Sequence, residues 1–274
     1  MGGKATDASW ILGKLGVPNR ALGFAAGPNG LRMENMLRER GVETDFVWVD
    51  GETRLNSIID VPGEGQSTTT SSSLHVSPER LAEFSTKYQK VLEGASCVVM
   101  GGSLPNGAPL EFYAEVIARA HEHNVPVIFD SSGPSLLAGM KSSPDLIRPN
   151  QAELDELLGY VPNSQQEVRQ AAQRLHDEFG SNVIITLGSE GAVAVFGDDS
   201  YFVHPMYIPV VSAAGAGDGV LAGMALACLR DESLQYGLPN GFALAGVVQQ
   251  TLGTADFRVE DYEELLPQIR IERL

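Results

Sequence analysis

Hydrophobic positions recur along this chain in two alternating patterns, one typical of helices and one of buried strands. In residues 31–40 and 151–158 the apolar side chains fall three or four positions apart, whereas residues 97–100 and 125–130 are short, nearly continuous apolar runs. Segments of the two kinds follow one another through most of the sequence. This alternation predicts a parallel β-sheet covered by helices.

The same criteria predict the remaining elements. Further helices are expected at residues 8–15, 110–121, 167–179, 240–252 and 260–269, and another begins at Ser77-Pro-Glu-Arg80. Further strands are expected at residues 21–25, 145–150 and 182–187, with a hairpin at residues 193–196 and 201–204 and a turn at Gly27-Pro-Asn-Gly30. No internal repeat or long linker separates them, so residues 1–43 and 77–274 are predicted to form one α/β domain.

Residues 44–76 have a different pattern, with β-rich pieces at 44–49, 53–60 and 67–71 and no helix between them. The pieces are joined by Asp50-Gly-Glu52 and Pro62-Gly-Glu-Gly65, which are typical hairpin connections. An antiparallel patch inserted in an α/β chain often forms a lid or an interface, and we expect a β lid here. The polar run at residues 68–73 is equally consistent with a flexible loop.

Composition excludes several classes of protein. The chain has a formal charge of −16, a pI of about 4.6 and only 19 Lys and Arg residues, which argues against a nucleic-acid partner. It has no apolar run long enough to span a membrane and no signal-peptide core, so no membrane partner is expected. Cys97 and Cys228 fit no metal or redox spacing and are expected to be reduced thiols in a cytoplasmic protein.

Small residues dominate the segment from Ala213 to Gly219, just before an apolar helical run. Three glycines in five positions let the backbone approach a ligand, and a helix that begins there points unpaired N–H groups and a positive dipole end at an anion. Asp218 lies at this helix start, where it could take a proton from a hydroxyl that attacks phosphorus. The alternative is a tightly packed helix start with Asp218 as a dipole partner.

Polar and glycine residues collect after several predicted strands, where an open parallel sheet binds its ligands. These segments are residues 101–103, 130–133, 148–150 and 186–191, together with the Asp218 loop. Such a concentration predicts a crevice for a polar ligand. The P-loop, G-x-S-x-G and H-E-x-x-H patterns are all absent.

Asn150 and Glu153 lie one helical turn apart, on the same face of a predicted helix. The spacing favours a capping box, with Asn150 as N-cap and Glu153 at the third helical position. The alternative is that the two side chains order Mg²⁺ through its water molecules, because Mg²⁺ keeps most of its waters.

Seven motifs spread along the chain together resemble one family of kinases. They are Gly2-Gly-Lys4, Thr53-Arg-Leu-Asn56, Gly102-Ser-Leu-Pro105, Asp130-Ser-Ser-Gly133, Arg148-Pro-Asn-Gln-Ala-Glu153, Thr186-Leu-Gly-Ser-Glu-Gly191 and Gly215-Ala-Gly-Asp218. The family is that of the ribokinase-like sugar kinases, in particular the phosphofructokinase-B branch that phosphorylates sugar phosphates. The resemblance implies a three-layer α/β sandwich with a mostly parallel central sheet and a small β lid.

The resemblance also implies a role for each motif. Asp218 would be the catalytic base, beside an anion hole made by Gly215, Ala216 and Gly217. ATP would be bound by Thr186, Gly188, Glu190, Gly191 and Gly217, and Mg²⁺ would be held through water by Asn150 and Glu153. The sugar-phosphate substrate would be bound by Gly3, Lys4, Asp7, Arg54 and Ser103, with Lys4 and Arg54 holding its phosphate.

Fructose 1-phosphate, converted to fructose 1,6-bisphosphate, is the substrate that the resemblance favours. A tagatose-6-phosphate kinase and a kinase for an unphosphorylated sugar or nucleoside are alternatives, since Asp7 replaces the family's usual Asn and adds negative charge near the phosphate. Family members carry a further strand before the Gly-Gly-Lys loop, so an N-terminally truncated, inactive nucleotide-binding module is a third alternative. A homodimer formed through the lid is expected.

Overall fold

The computed structural model describes residues 2–61 and 65–274, and the side chains of residues 2–59 and 67–274. Its helices are α1 (Lys4–Lys14), α2 (Gly27–Glu39), α3 (Pro78–Leu92), α4 (Phe112–Glu122), α5 (Gly133–Met140), α6 (Gln151–Leu158), α7 (Gln165–Phe179), α8 (Ala216–Leu229), α9 (Leu238–Gln249) and α10 (Val259–Leu265). Its strands are β1 (Arg20–Ala21), β2 (Phe24–Ala25), β3 (Glu43–Thr44), β4 (Val47–Trp48), β5 (Asn56–Val61), β6 (Gly65–Thr70), β7 (Val98–Gly101), β8 (Val127–Asp130), β9 (Leu146–Ile147), β10 (Asn182–Thr186), β11 (Ala192–Phe196), β12 (Asp199–Val203) and β13 (Ile271–Arg273).

A seven-stranded sheet in the order β13-β12-β11-β10-β9-β8-β7 forms the middle layer. Strands β7 to β10 run parallel to one another, and β11, β12 and β13 continue the sheet in antiparallel fashion. Strands β1 with β3 and β2 with β4 add two short parallel pairs. Because the carboxyl ends of β7 to β10 lie at one edge of the sheet, the segments that follow them are brought together there.

Hydrophobic cores cover both faces of this sheet. In β10, Ile184 packs with α1, α8 and α9 on one face, whereas Val183 and Ile185 pack with α4 and α7 on the other. The side chains of a strand alternate between faces with a period of two, so a strand buried on both faces has a continuous apolar sequence. The three-layer α/β fold predicted from the sequence is confirmed.

Helix α8 is buried around its circumference because glycines let α9 approach its backbone. A Cβ added at Gly219 would lie 2.6 Å from the backbone nitrogen of Ala245, and one at Gly223 would overlap the backbone of Gly241. Every residue of α8 from Asp218 to Ala227 is buried, as expected for a helix that is apolar all round. This packing fixes the helix that carries Asp218 against the rest of the domain.

The predicted β-rich region is only partly a hairpin. Strands β5 and β6 are antiparallel, with Asn56 opposite Thr70, and the strand continues through part of the polar run at residues 68–73. The connection at Pro62-Gly-Glu-Gly65 falls largely outside the described residues. Residues 44–49 were expected to join this patch, but β4 pairs in parallel with β2, so they extend the α/β layer.

One further local prediction is wrong, and one helix was not predicted. The turn expected at Gly27-Pro-Asn-Gly30 is the first turn of α2, with Pro28 inside it, where a missing N–H costs nothing. Residues 133–140, which follow a predicted loop, form α5. Among the described residues, no helix combines the length and the apolar character that a membrane span requires.

Candidate active site

The carboxyl edge of the parallel strands gathers the motifs that the sequence singled out. Gly101, at the end of β7, is paired with Asp130, at the end of β8, and the N–H of Gly102 donates to the Asp130 carbonyl at 2.9 Å. Asn150, just after β9, bridges to Thr186 at the end of β10. Residues far apart in sequence therefore form one crevice, as the strand-end argument predicted.

An ionic cluster occupies the floor of this crevice. The fully buried carboxylate of Asp130 pairs with the ammonium group of Lys4 and with the guanidinium of Arg148, whose Nε donates to it at 2.6 Å. Arg148 also donates to the Thr186 hydroxyl at 3.1 Å. Burial alone would lower the pKa of Arg148, but the charge and hydrogen bond of Asp130, together with the negative charges of Asp218 and Glu153, outweigh it and raise that pKa. Arg148 is therefore a permanently charged group beneath the site.

Lys4 joins this cluster to helix α6. Its Nζ lies 3.3 Å from Oε1 of Glu153 in addition to its contact with Asp130, and its side chain is a quarter exposed. Lys4 was expected to hold the phosphate of the sugar; in the ligand-free protein its partners are carboxylates. An ammonium group has three donors, so two carboxylate partners leave it one donor for a ligand.

Asn150 and Glu153 form the capping box that their spacing favoured. The Asn150 side chain accepts from the Glu153 N–H at 3.0 Å, and the Glu153 carboxylate accepts from the Asn150 N–H at 2.9 Å. The cap uses the Asn150 amide oxygen and one Glu153 oxygen, and Lys4 takes the other. Within the part of the chain that the structure describes, no three His, Cys, Asp or Glu side chains cluster as direct metal ligands. The Asn150 amide oxygen and both Glu153 oxygens thus already accept hydrogen bonds, which favours a water-mediated contact with Mg²⁺ over direct ligation.

Helix α8 presents its N-terminus to the crevice without any side-chain cap. Its N-cap, Gly215, has a φ of 85°, which favours glycine, and a Cβ there would overlap the carbonyl of Thr254. The N–H of Asp218 donates to the Gly215 carbonyl at 3.0 Å, so that amide is used within the turn. Ala216 donates to the Ala213 carbonyl at 3.5 Å, whereas the N–H groups of Gly215 and Gly217 form no hydrogen bond within the described residues, so these two amides can face an anion.

Gly217 connects this helix start to the ionic cluster. A Cβ at Gly217 would lie 2.6 Å from the guanidinium carbon of Arg148, so any side chain there would displace the arginine. The positive charge of Arg148 therefore lies directly behind the backbone that would contact an anion. Helix dipole and guanidinium act in the same direction here, and both stabilise negative charge.

Asp218 is buried in the first turn of α8, next to a second buried carboxyl group, Asp7 of α1. Thr254 bonds to Asp7, and both Thr254 and Asp218 are close enough to lower the pKa of Asp7, against the burial that raises it. Burial, then the negative charges of Asp7 and Asp130, raise the pKa of Asp218 well above its usual value, while Arg148 and Lys4 lower it. Burial raises the pKa of Asp7 to about 6.

The remaining predicted nucleotide residues follow β10. Thr186 ends that strand, and Gly188–Glu190 form a short 3₁₀ turn in which the Glu190 side chain is exposed. Gly191 has a φ of 92°, and a Cβ there would overlap the Val203 carbonyl. The turn is thus fixed against the end of β12, at the same edge of the sheet as Asn150.

The predicted sugar-phosphate residues come from three different segments. Gly3 is the N-cap of α1, with a φ of 116°, and leads directly into Lys4 and Asp7. Arg54 is half-buried and close enough to Tyr113 to lower the pKa of the tyrosine hydroxyl, against the burial that raises it. That hydroxyl donates to the Gly102 carbonyl at 3.0 Å, which places Arg54 towards the loop that carries Ser103.

Sequence reasoning missed how these residues are connected. Asp130 and Arg148 were noted only as members of polar loops, although they form the centre of the ionic cluster. Thr254, which bonds to Asp7, was not noted at all, since it lies in a stretch without any motif. A buried charge pair has no local sequence signal, and only the three-dimensional arrangement shows it.

Comparison with known proteins gives a consistent result. Residues 1–261 match the model of the pfkB family of carbohydrate kinases. The chain is 31% identical to the 1-phosphofructokinase of Bacillus subtilis (strain 168), over 100% of this chain and 88% of that protein, and 32% identical to the 1-phosphofructokinase of Borreliella burgdorferi, over 99% and 87%. A crystal structure of phosphofructokinase-2 from Escherichia coli in complex with potassium superposes with a TM-score of 0.87 at 26% identity, covering 97% of this chain and 87% of the other.

Proposed function

Because the chain belongs to the pfkB family of carbohydrate kinases, and so is a phosphotransferase with an alcohol group as acceptor, we propose that it phosphorylates fructose 1-phosphate with ATP. The products would be fructose 1,6-bisphosphate and ADP. The proposal of this sugar rests on the similarity to the two 1-phosphofructokinases and on the cations near the crevice.

The observation that carries the proposal is the position of Asp218 in the first turn of the uncapped helix α8. In the reaction, an oxygen of the acceptor hydroxyl forms a bond to the γ-phosphorus, the bond from that phosphorus to the ADP oxygen breaks, and the carboxylate of Asp218 takes the hydroxyl proton. The amides of Gly215 and Gly217 and the charge of Arg148 stabilise the phosphoryl group as it moves.

ATP would lie along the edge formed by Thr186, Gly188, Glu190 and Gly191. Its terminal phosphate would then lie at the α8 N-terminus, where the helix dipole and the amides of Gly215 and Gly217 face an anion. Asn150 and Glu153 would contact Mg²⁺ through water, consistent with their use in the capping box. The ion, when bound with ATP, supplies positive charge that neutralises the phosphates.

The phosphate already on the sugar would be held by Lys4 and Arg54, with Gly3, Asp7 and Ser103 around the sugar. Lys4 keeps one donor free, and no carboxylate within the described residues pairs with Arg54. In a chain of charge −16, such cations are scarce, and an anionic substrate needs them. A neutral sugar would not need these cations.

ADP release on a panel of acceptors tests the proposal. The panel comprises fructose 1-phosphate, fructose 6-phosphate, tagatose 6-phosphate, fructose and a nucleoside, each with ATP and Mg²⁺. We expect fructose 1-phosphate to have the highest kcat/KM, and Asp218→Asn to lower its kcat by about 10²-fold to 10⁴-fold, the range for a general base, with ATP affinity little changed. Near-wild-type turnover by Asp218→Asn would show that this residue is not the base.

Two charge-removing variants separate the substrate alternatives. Lys4→Ala and Arg54→Ala should raise KM for a sugar phosphate and leave a neutral acceptor nearly unaffected, because only the phosphate contacts these cations. A preference for tagatose 6-phosphate, or for a neutral sugar or nucleoside, would replace the proposed substrate. ATP binding without turnover on any acceptor would favour the inactive nucleotide-binding module.

The β5–β6 hairpin would form the interface of a homodimer. Leu55, just before β5, is 59% exposed, and Ile59, within β5, is 56% exposed. Such exposure is unusual for large aliphatic side chains. A second copy of the same hairpin could cover both. Sedimentation equilibrium of a Leu55→Ser, Ile59→Ser double variant, expected to be monomeric, tests this. An enzyme that consumes ATP and keeps two free cysteines would work in the cytoplasm.

A further inference from the structure

We propose that the ion pair between Lys4 of α1 and Glu153 of α6 links the sugar-phosphate site to the nucleotide site by an exchange of partners. A phosphate that binds the Lys4 ammonium group would draw it away from Glu153. One Glu153 oxygen, Oε1, would then be free to accept from the water molecules of Mg²⁺. The inference rests on the proposed kinase function and deepens it, because it makes the binding of the two substrates cooperative.

The contact joins residues that the sequence analysis assigned to separate sites. Nζ of Lys4 lies 3.3 Å from Oε1 of Glu153, although the two residues are 149 positions apart in the chain. The other oxygen of Glu153, Oε2, accepts from the N–H of Asn150 at 2.9 Å as part of the cap of α6. Oε1 is therefore the oxygen that can change partners without loss of the helix cap.

Of the two carboxylates that hold Lys4, Glu153 is the one that can release it at lower cost. The side chain of Asp130 has no exposed surface, so the loss of Lys4 would leave part of its charge uncompensated where water does not reach. Glu153 keeps some exposed surface, and its 3.3 Å contact is longer than the distance of about 2.7–2.9 Å usual for such a charged hydrogen bond. A phosphate that recruits the ammonium donors should therefore displace Glu153 first.

The charges at this end of the crevice give the exchange its direction. Within residues 2–59 and 67–274, Lys4 is the one cation that forms an ion pair with Glu153, because Arg148 pairs with Asp130. While Lys4 stays there, its positive charge offsets the negative charge that Glu153 presents to a metal ion. When Lys4 turns to a phosphate, a cation beside α6 gains that attraction. Coupling of this kind is reciprocal, so Mg²⁺ favours phosphate binding by the same factor.

Calorimetric titration with a non-hydrolysable ATP analogue and Mg²⁺, with and without saturating fructose 1-phosphate, measures this coupling without turnover. In the wild-type protein we expect the sugar phosphate to lower the Kd of the analogue about fivefold or more, the lower end of ordinary coupling between sites. Glu153→Gln can still accept from the Asn150 N–H but has no charge to release, so the sugar phosphate should hardly change its Kd. Glu167→Gln is the control, because Glu167 accepts from a backbone N–H before α7 in the same way, and it should keep the full effect.

Removal of the cation tests the same contact without any sugar. Lys4→Met should by itself lower the Kd of the analogue with Mg²⁺ by about the same factor, because Glu153 is then free from the start. Lys14→Met, which breaks an ion pair with Asp256 at the other end of α1, should not change this Kd. Combined with Glu153→Gln, Lys4→Met should bring no gain. A gain that persists in the double variant would come from the general loss of positive charge and would overturn the inference.

Failure of the inference and failure of the proposed function give different results. If fructose 1-phosphate is phosphorylated but leaves the Kd of the analogue unchanged, the exchange of partners is wrong and the kinase assignment stands. If fructose 1-phosphate neither binds nor is phosphorylated, the sugar assignment fails. Inorganic phosphate then replaces the sugar in the titration, and an unchanged Kd overturns the inference. Urea unfolding shows whether each variant is folded, and Lys4→Gln replaces Lys4→Met if the latter is not.

Discussion

The stability of an Asp7→Asn variant as a function of pH is the sharpest physical test of the buried pair. Burial raises the pKa of Asp7 from 3.8 to about 6, so the folded protein binds this proton more tightly than the unfolded chain does. A group of this kind contributes stability that is fully present below the unfolded pKa and is lost as the pH rises through the folded pKa. The wild-type protein should therefore lose stability between about pH 4 and pH 7.

The size of this loss follows from the shift. One pKa unit corresponds to about 1.4 kcal/mol, so the rise from 3.8 to about 6 corresponds to about 3 kcal/mol of folding free energy. Asn at position 7 keeps the shape and the donor and does not ionise. We expect the free energy of unfolding of Asp7→Asn to exceed that of the wild type by about 3 kcal/mol at pH 8 and by less than about 1 kcal/mol at pH 4.

Equilibrium urea unfolding at several pH values between 4 and 8 measures the difference, with Glu34→Gln as the control. Glu34 is a buried carboxylate that accepts from Arg38 at 2.9 Å and from the Thr44 hydroxyl at 3.0 Å, so its removal should bring no gain at pH 8. The reasoning would be refuted if the difference in unfolding free energy between Asp7→Asn and the wild type did not change with pH, or if the variant were less stable than the wild type at pH 8.

Two further predictions concern the helix start and the ion cluster, and both are measured by urea unfolding at pH 7.5. Gly215→Ala should lower the free energy of unfolding by about 3 kcal/mol, because its positive φ and the neighbouring Thr254 carbonyl both oppose a side chain. Gly16→Ala is the control: it has a φ of 71° but open space around it, and should lower that free energy by about 1 kcal/mol. Equal losses would mean that the carbonyl moves aside freely. Arg148→Met should lower the free energy of unfolding by about 3–5 kcal/mol, because it leaves buried Asp130 without its guanidinium partner. Arg20→Met, which breaks an exposed ion pair, should lower it by less than about 1 kcal/mol. Similar losses would show that Lys4 alone satisfies Asp130.

The sequence predicted the layers of the fold because each strand and helix has its own periodicity. Continuous apolar runs such as Val183 to Ile185 identify strands buried on both faces, and this pattern is local. Pairing is not local: nothing within residues 44–49 shows that β4 pairs in parallel with β2. The short helix α5 was missed because its glycines and proline are typical of loops as well as of helix starts.

The candidate site was predictable to a similar extent. Glycines at 215 and 217 and the carboxylate at 218 have a recognisable spacing, and the structure places them at a helix start. Contacts between distant positions were not predictable, as the pair of Lys4 with Asp130, 126 positions away, shows. The substitution of Asp for Asn at position 7 was visible as a change of charge near a phosphate. Its contact with Asp218 required the packing of α1 on α8.

Charge balance shows how the protonation of Asp7 affects a site that must bind anions. Four carboxyl groups surround the crevice, those of Asp7, Asp130, Glu153 and Asp218, against the cations Lys4 and Arg148. Fully ionised, this set would carry a net negative charge and repel both phosphate groups of a kinase reaction. A proton on Asp7, whose pKa burial raises to about 6, removes half of that excess. The crevice is therefore less negative while Asp7 is protonated, and Lys4 and Arg148 then offset more of the charge that remains.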